Sequence, residues 1–373
     1  MRLTELNTPA LVLDINRARR NAERMAARVR AFGARLRPHV KTHKCAEVAR
    51  LQTEQSDAAL TVSTLAEARF FAGRGFTDLT YAVPVEPGKF APAVDLAQRG
   101  VRLALITDDA EVPAPLDDTA GRAGVTLDLF LKVDCGYHRC GVEPDTPEAR
   151  EIPRRIAAAR HLRFAGLLTH AGHSYHARTR DELLAVARRE RDVTAEFAQQ
   201  LRADGIEVPT VSVGSTPTMA VVDHLAGVDE ARPGNYIFYD AFQATLGSCA
   251  LTDCALTVLA AVVHRDRTRR KVVIDAGAVA LSKDRGAAEL DPACGFGRVL
   301  DSEGNDLGLR VDSVSQEHGV VRVGDDELFD RLRVGTRVRV LANHSCLTAA
   351  QHPFYNVLEG ERVVDKWEIQ RGW

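Results

Sequence analysis

The sequence predicts an α/β protein: a (β/α)8 TIM-like barrel over residues 8–250, followed by an all-β domain over residues 251–373 that also takes in residues 1–7. Short β-rich apolar runs alternate with stretches of helical periodicity up to about residue 245, which indicates a parallel sheet with helical crossovers. About eight such units favour a barrel. No glycine-rich dinucleotide fingerprint follows the first run, which argues against an open doubly wound sheet. The runs are 10–13, 58–62, 79–83, 103–106, 127–133, 164–168 and 211–213.

The ends of several elements are also marked. Thr64 stands three residues before Glu67, the pattern of a helix N-terminal cap, and Gly33 follows the Ala/Arg-rich helix that begins near Ile15. After about Cys254 the helical periodicity largely disappears and turn residues separate shorter β-like runs. These runs, at 255–264, 271–274, 319–323 and 337–341, predict the second, all-β domain.

Composition limits the class of protein. The chain has 373 residues, 45% of them hydrophobic and 27% charged, with a formal net charge of -2. This balance matches ordinary globular usage and gives no reason to expect a nucleic-acid partner. No apolar run approaches the roughly 20 residues that span a bilayer, and residues 1–8 lack the pattern of a secretory leader. Seven scattered cysteines do not form a disulfide framework. We therefore expect a cytoplasmic protein without a membrane partner.

Lys41 is the first candidate catalytic residue. It ends the stretch 36–41, where a predicted strand gives way to a loop. Barrels of this kind keep their chemistry at the C-terminal ends of the strands. Neighbouring cations, Lys44 or His43, would disfavour the protonated amine, so Lys41 could attack a carbonyl and form a Schiff base. A solvated surface lysine is the alternative interpretation.

Two loops that follow predicted strands carry further polar groups. In the loop 134–141, Arg139 offers a permanent cation for an anionic or phenolate oxygen. In the loop 169–176, we expect His170 to pack on a flat cofactor and Tyr175 to place its hydroxyl near the substrate. The three histidines of that loop could instead bind a metal, but their spacing fixes no ligand geometry.

Two later loops together predict a phosphate site. Barrels often bind phosphate through the loops after their last two strands, with backbone N–H groups, small hydroxyls and a helix N-terminus. Either loop alone could be an ordinary turn. The candidate residues are Gly214, Ser215 and Thr216 in the first loop and Arg232, Gly234, Asn235 and Tyr236 in the second.

His344 and Cys346 form a candidate metal site in the β domain. On a strand, residues two apart point to the same face, so the two side chains could bind one cation. Imidazole with thiolate suits Zn²⁺, although another divalent cation is possible. A histidine packed beside a buried cysteine is the alternative.

Taken together, these stretches resemble the pyridoxal-phosphate enzymes of the alanine-racemase-like fold (fold type III), specifically the branch of D-serine dehydratases and D-threonine aldolases. The resemblance covers nearly the whole chain. Its most specific parts are 37–44, 232–236, 274–277 with 282–284, and 343–346.

The resemblance implies roles for individual residues. Lys41 matches the lysine that binds pyridoxal phosphate and later moves the α-proton, Arg139 the arginine near the phenolic oxygen, and His170 the histidine stacked on the ring. Residues 214–216 with 234–235 match the phosphate site. Racemases of this fold place an arginine, aligned roughly with Arg232, on the ring nitrogen.

The metal motif indicates the reaction. The resemblance implies His-x-Asp in the aldolases and His-x-Cys in the dehydratases, and this chain has His344 and Cys346. We therefore expect a D-serine dehydratase, a lyase that acts on a small D-amino acid and works as a homodimer. The alternatives are a D-threonine or 3-hydroxy-D-aspartate aldolase, a D-threo-3-hydroxyaspartate dehydratase, and a noncatalytic vitamin B6 carrier, against which the β domain argues.

Overall fold

The computed structural model of the chain describes residues 1–54 and 57–373, and it separates into two units that interleave in the sequence. The barrel unit comprises Glu23–Lys41, Val48–Gly234 and Gly372–Trp373. The β unit comprises Met1–Ala22, Thr42–Glu47 and Asn235–Arg371. The division of the chain at residue 250 expected from the sequence stays a prediction, and each unit is described by itself below.

Parallel strands make up the sheet of the barrel unit. Among the described residues this sheet has eight strands in the order β2-β9-β8-β7-β6-β5-β4-β3. A parallel bridge between His39 and Thr61 connects its two ends. The predicted barrel is therefore confirmed. Its strands are β2 (Arg35–Leu36), β3 (Ala59–Val62), β4 (Asp78–Pro84), β5 (Arg102–Thr107), β6 (Leu127–Lys132), β7 (Leu162–Leu168), β8 (Thr210–Val213) and β9 (Glu230–Ala231).

Helices connect the strands of the barrel, as the alternating pattern predicts. Thr64 caps the helix after β3, since its side-chain oxygen accepts the N–H of Glu67 at 3.0 Å. The helices are α1 (Ile15–Ala31, which begins in the β unit), α2 (Ala46–Thr53, which also begins there), α3 (Leu65–Ala72), α4 (Phe90–Gln98), α5 (Pro113–Ala123), α6 (Pro147–Ala158), α7 (Arg180–Ala203) and α8 (Thr216–Val221). No helix of the described residues combines the length and the apolar character needed to cross a membrane.

The first strand of the chain corrects one expectation. The sequence placed the run 10–13 in the barrel, but β1 (Ala10–Asp14) lies in the sheet of the β unit. It pairs antiparallel with β10 (Leu256–Asp266) and parallel with β17 (Phe354–Glu359). Its first four residues are all buried. A continuous apolar run indicates a strand covered on both faces, but it does not tell which sheet the strand joins.

The sheet of the β unit is mixed, and in the described chain it has ten strands, which confirms the predicted β-rich C-terminal part. The path runs β13-β12-β16-β10-β1-β17-β18, with β11, β15 and β14 attached through β10. Its other strands are β11 (Lys271–Ile274), β12 (Arg298–Leu300), β13 (Asp306–Arg310), β14 (Ser313–Val314), β15 (Gly319–Arg322), β16 (Arg337–Leu341) and β18 (Arg362–Glu368). Its helices are short: α9 (Ala241–Thr245), α10 (Ala278–Leu281), α11 (Asp326–Arg331) and α12 (Ser345–Gln351).

A buried ion pair joins the two shortest strands of the barrel. β2 and β9 pair over only two residues each. The sequence predicted a strand that runs up to Lys41, whereas β2 ends at Leu36, and it did not predict β9. Arg37, just after β2, donates from Nε to Glu230 of β9 at 2.6 Å and from Nη1 to Asp78 of β4 at 2.7 Å. Both Arg37 and Glu230 are less than a tenth exposed. The second Glu230 oxygen accepts the Ser212 hydroxyl at 2.7 Å. These side-chain contacts add to the backbone hydrogen bonds of the two segments, in which the N–H groups of Arg35 and Arg37 donate to the carbonyls of Asp229 and Ala231 at 2.8 and 2.9 Å.

We expect Glu230→Ala to lower the free energy of unfolding by about 3 kcal/mol, because the change leaves a buried cation without one of its carboxylate partners. The exposed pair Asp95 and Arg99 is the control, and Asp95→Ala should cost less than about 1 kcal/mol. Denaturant titration of both variants gives the comparison. Equal decreases in the free energy of unfolding for the two variants would show that the buried pair does not stabilise the barrel more than an exposed pair does.

Candidate active-site and metal-site residues

Lys41 lies where the sequence predicted a catalytic lysine, in a short turn (Val40–Thr42) after the first barrel strand. The preceding His39 bridges to Thr61 and donates its backbone N–H to Pro233 at 3.0 Å. The segment that ends in Lys41 therefore runs beside the loop that contains Arg232 and Gly234. The side chain of Lys41 is exposed in the chain as described.

Two neutral histidines accompany Lys41 in the barrel unit. Burial, followed by the positive charge of Lys41, lowers the pKa of both His39 and His170 well below the ordinary histidine value. Arg232 adds to the effect on both rings. The structure thus brings Lys41, Arg232 and His170 into one electrostatic cluster, and the cofactor site predicted from these residues stays a prediction.

The loops after β6 and β7 meet through Tyr137. Its ring contacts His170 edge-on, with the ring centroids 6.3 Å apart, and the Arg139 guanidinium lies 5.0 Å from the Tyr137 ring centroid. A Cβ at Gly172 would come within 2.2 Å of Tyr137, so this close approach requires glycine. Tyr175 lies in the following turn (Gly172–His176), half-buried. The predicted residues Arg139, His170 and Tyr175 therefore belong to two loops that pack together.

The predicted phosphate loop is buried and already hydrogen-bonded. Ser215 caps helix α8, its backbone N–H donates to Thr218 Oγ1 at 2.9 Å, and its hydroxyl lies 3.3 Å from that of Ser174. The Gly214 N–H donates to Glu190 at 3.2 Å. Thr216 opens the helix and is 1% exposed. The phosphate role of this loop stays a prediction, and its first two N–H groups have protein partners here.

Arg232 is committed to the barrel interior. Its two terminal nitrogens donate to the Ser212 hydroxyl and to the Thr169 carbonyl. Burial lowers its pKa to about 10. The proposed contact with a cofactor ring nitrogen stays a prediction.

Lys132 is a second lysine of interest in the barrel unit, buried where Lys41 is exposed, and sequence reasoning missed it. It is the last residue of β6 and is 4% exposed, with Nζ 3.3 Å from the Val133 carbonyl oxygen. Burial lowers its pKa to about 8. The sequence signal that could have found it is a lysine inside the run 127–133, in which Asp128 is the other charged residue.

In the β unit, His344 and Cys346 meet as predicted, but on a different element. The sequence placed them on one face of a strand, whereas His344 is the N-cap of α12 and Cys346 is that helix's second residue. Asp240 fixes the turn, because its Oδ2 accepts the backbone N–H of Ser345 at 2.9 Å. Two side chains two residues apart can therefore converge at a helix start as well as on a strand.

Hydrogen bonds and charge orient this pair. Asp284 Oδ2 lies 2.6 Å from His344 Nδ1, and Thr42 Oγ1 lies 3.3 Å from Cys346 Sγ. Burial disfavours charge on both groups, yet the attraction between His344 and Cys346 lowers the pKa of the thiol and raises that of the imidazole. Asp284 contributes to the raised pKa of His344. A neutral imidazole and a thiolate are ligand types that fit Zn²⁺, so these two side chains could hold that ion.

Asn235 also belongs to this cluster through its side chain. Its Nδ2 donates to Asp240 at 2.8 Å and to the Ser345 hydroxyl at 3.0 Å, and lies 3.5 Å from Cys346 Sγ. Its Oδ1 is buried and accepts no hydrogen bond from the described residues. Tyr236, also predicted to bind the cofactor, is fully buried. For both residues the predicted cofactor contact is untested.

A further set of possible ligands, not predicted from the sequence, lies in the loop after β6. Potential ligand atoms of Asp134, His138 and Glu143 fall within 4.8 Å of one another. The Asp134 carboxylate already accepts the backbone N–H groups of Gly136, Tyr137 and His138. His138 and Glu143 are both more than 60% exposed. The hydrogen bonds assign Asp134 to shaping the loop that carries Arg139.

The chain matches two protein-family models and is similar to enzymes of known activity. The family model for the N-terminal domain of alanine racemase matches residues 13–241, and that for the putative serine dehydratase domain matches residues 255–358. The chain is 40% identical over 377 residues to D-threo-3-hydroxyaspartate dehydratase of Delftia sp. (strain HT23), covering 100% of this chain and 99% of that one. It is 33% identical over 393 residues to D-serine dehydratase of Dictyostelium discoideum, covering 100% and 98%.

A solved structure shows the same architecture. It is a cysteine-to-alanine mutant of D-threo-3-hydroxyaspartate dehydratase in the metal-free form, and it superposes with a TM-score of 0.97 at 39% identity over the full length of both chains. The resemblance proposed from the sequence is therefore confirmed. The chain belongs to the family of D-serine dehydratases and D-threonine aldolases that share the alanine racemase fold.

Proposed function

We propose that this protein is a pyridoxal-phosphate- and metal-dependent dehydratase of small β-hydroxy-D-amino acids, which converts D-serine to pyruvate and ammonia. The observation that carries the proposal is the contact between His344 and Cys346, with Asp284 Oδ2 2.6 Å from His344 Nδ1. The similar dehydratase whose cysteine-to-alanine mutant is metal-free supports a cysteine ligand.

The residues of the barrel unit suit the cofactor. Lys41 supplies an exposed amine, and His170 supplies a flat ring that burial keeps neutral. Pyridoxal phosphate, when bound, supplies an aldehyde that condenses with amines and a ring that accepts the electrons of a broken Cα–H bond. Lys41 Nζ would bind the aldehyde and, after the substrate's amino group replaces it, would take the α-proton. Arg139 would face the phenolic oxygen, and the loop at Ser215 and Thr216 would face the phosphate.

The residues of the β unit suit the leaving group. Hydroxide leaves poorly, and a bound divalent cation supplies a Lewis acid for the β-hydroxyl. His344 and Cys346 would hold that cation. Because Asp284 accepts a hydrogen bond from Nδ1, the His344 ring is left with Nε2 as its metal-ligating atom. Asp284 is thus the residue that sets the tautomer.

A second candidate substrate is D-threo-3-hydroxyaspartate. The 40% identity to a dehydratase of that name, against 33% to a D-serine dehydratase, favours it. The reaction would be the same β-elimination, with a second substrate carboxylate that needs a cation. Cleavage of the Cα–Cβ bond, as in an aldolase, would use the same lysine and metal but yield glycine and an aldehyde.

The reaction class can be tested by incubating the purified protein, loaded with pyridoxal phosphate, with D-serine, D-threonine and D-threo-3-hydroxyaspartate. We expect a keto acid and ammonia in equal amounts from at least one of them, and loss of turnover after treatment with a chelator. Restored turnover on adding Zn²⁺ is the control for chelator damage. Glycine with an aldehyde as the products would exclude the dehydratase.

The role of Lys41 predicts that Lys41→Ala abolishes the visible absorption of the bound cofactor and lowers kcat by about 10³-fold or more, since the general base is lost. Lys89→Ala, at an exposed position outside the site, should leave both unchanged. A Lys41→Ala protein with normal absorbance and turnover would show that the assignment is wrong.

The role of Asp284 predicts that Asp284→Asn weakens Zn²⁺ binding by about 10- to 100-fold, because the ring of His344 loses its carboxylate partner. The measurement is competition with a chromogenic chelator, which reports metal affinity without turnover. Glu317→Gln, an exposed carboxylate of the same unit, is the matched control. Unchanged affinity in Asp284→Asn would remove Asp284 from the metal site.

A further inference from the structure

Glu190 is a buried carboxylate that the assignments above do not use. It lies on α7 and is 1% exposed. Its Oε1 accepts two backbone N–H groups, from Ala171 at 2.9 Å and from Gly214 at 3.2 Å. Ala171 follows His170, and Gly214 precedes Ser215. One oxygen atom therefore ties the loop of the ring-packing histidine to the loop of the predicted phosphate site.

The two N–H groups depend on this oxygen. Ala171 is fully buried, so water cannot replace Glu190 as its acceptor. Gly214 has φ +106°, a conformation that residues with a side chain rarely adopt, and a Cβ there would come within 3.3 Å of Arg232 and Met219. The hydrogen bond to Glu190 and the close packing of Arg232 and Met219 thus hold the loop at Gly214 in one conformation.

The second carboxylate oxygen has no such task. Oε2 is buried and accepts no hydrogen bond from the described residues. A buried ion with one unused oxygen is costly, so its presence needs a compensating gain. Two roles could offset this cost. In the first, Oε1 positions the two loops. In the second, the negative charge of Glu190 stabilises the Arg232 cation, whose pKa it raises.

We propose that Glu190 is a positioning residue, which through Oε1 sets the spacing between the ring end and the phosphate end of the bound cofactor. This inference rests on the proposed function. The charge is a by-product, since a carboxylate beside an anion-binding loop opposes a phosphate group. A glutamine, which has the same length, should therefore preserve the function of Glu190, whereas an aspartate, which is shorter, should not.

The experiment compares Glu190→Gln, which keeps the reach and removes the charge, with Glu190→Asp, which keeps the charge and loses one methylene. The dissociation constants of pyridoxal phosphate and of pyridoxal, which lacks the phosphate, are measured for each protein by spectroscopic titration. The same changes at Glu196, exposed on the same helix, are the matched controls.

We expect Glu190→Gln to bind pyridoxal phosphate within about 3-fold of the unchanged protein, because the amide oxygen can still accept both N–H groups. Glu190→Asp should bind it at least about 10-fold more weakly, because the shorter side chain loses both hydrogen bonds. Pyridoxal has no phosphate end to be aligned. The preference of the protein for pyridoxal phosphate over pyridoxal should consequently fall in Glu190→Asp and stay unchanged in Glu190→Gln.

Other outcomes overturn the inference. If Glu190→Gln binds pyridoxal phosphate more weakly than Glu190→Asp does, the negative charge is what cofactor binding requires. If Glu190→Asp loses affinity equally for pyridoxal phosphate and for pyridoxal, the substitution has damaged the site in general. Unchanged binding in both variants would remove Glu190 from the site. If the unchanged protein binds neither ligand, the proposed function fails instead.

Discussion

The buried ion pair between Arg37 and Glu230 is the interaction on which the barrel site depends. It joins β2 and β9, which share a ladder of only two residues. Lys41 follows Arg37 by four residues, and Arg232 follows Glu230 by two. The pair therefore determines where the candidate catalytic lysine and the buried arginine lie within the barrel unit.

Carboxylates also hold other parts of the chain in place. Asp240 fixes the backbone before Cys346, Asp284 fixes the ring of His344, and Glu190 fixes two backbone N–H groups of the barrel loops. Each serves as a hydrogen-bond acceptor at a fixed position, and Asp240 and Glu190 do so while buried. Cations have the converse effect on the barrel histidines, since Lys41 and Arg232 help keep His39 and His170 neutral. Charged groups thus organise both clusters, and of those named here only Lys41 is also proposed to react.

The sequence predicted most of the architecture because hydrophobic periodicity and strand-end loops are local signals. The barrel, the β-rich C-terminal part, the cap at Thr64 and the meeting of His344 with Cys346 all followed from such signals. Three features did not. β1 joins the other sheet, since an apolar run does not specify its partner. β9 is too short to show a period, and β2 ends five residues before Lys41, where the sequence placed the end of a strand. Glu190 and Asp284 act through contacts across 19 to 60 residues, which one sequence cannot reveal.

The identity of the cofactor lysine is the central claim, and Lys132 is its physical rival, because burial lowers its pKa to about 8 and makes its amine more nucleophilic at neutral pH. Borohydride reduction of the protein loaded with pyridoxal phosphate makes the lysine attachment permanent, and peptide mass spectrometry then locates it. We predict a modified Lys41 and an unmodified Lys132. Modification of Lys132 with Lys41 unmodified would contradict the account.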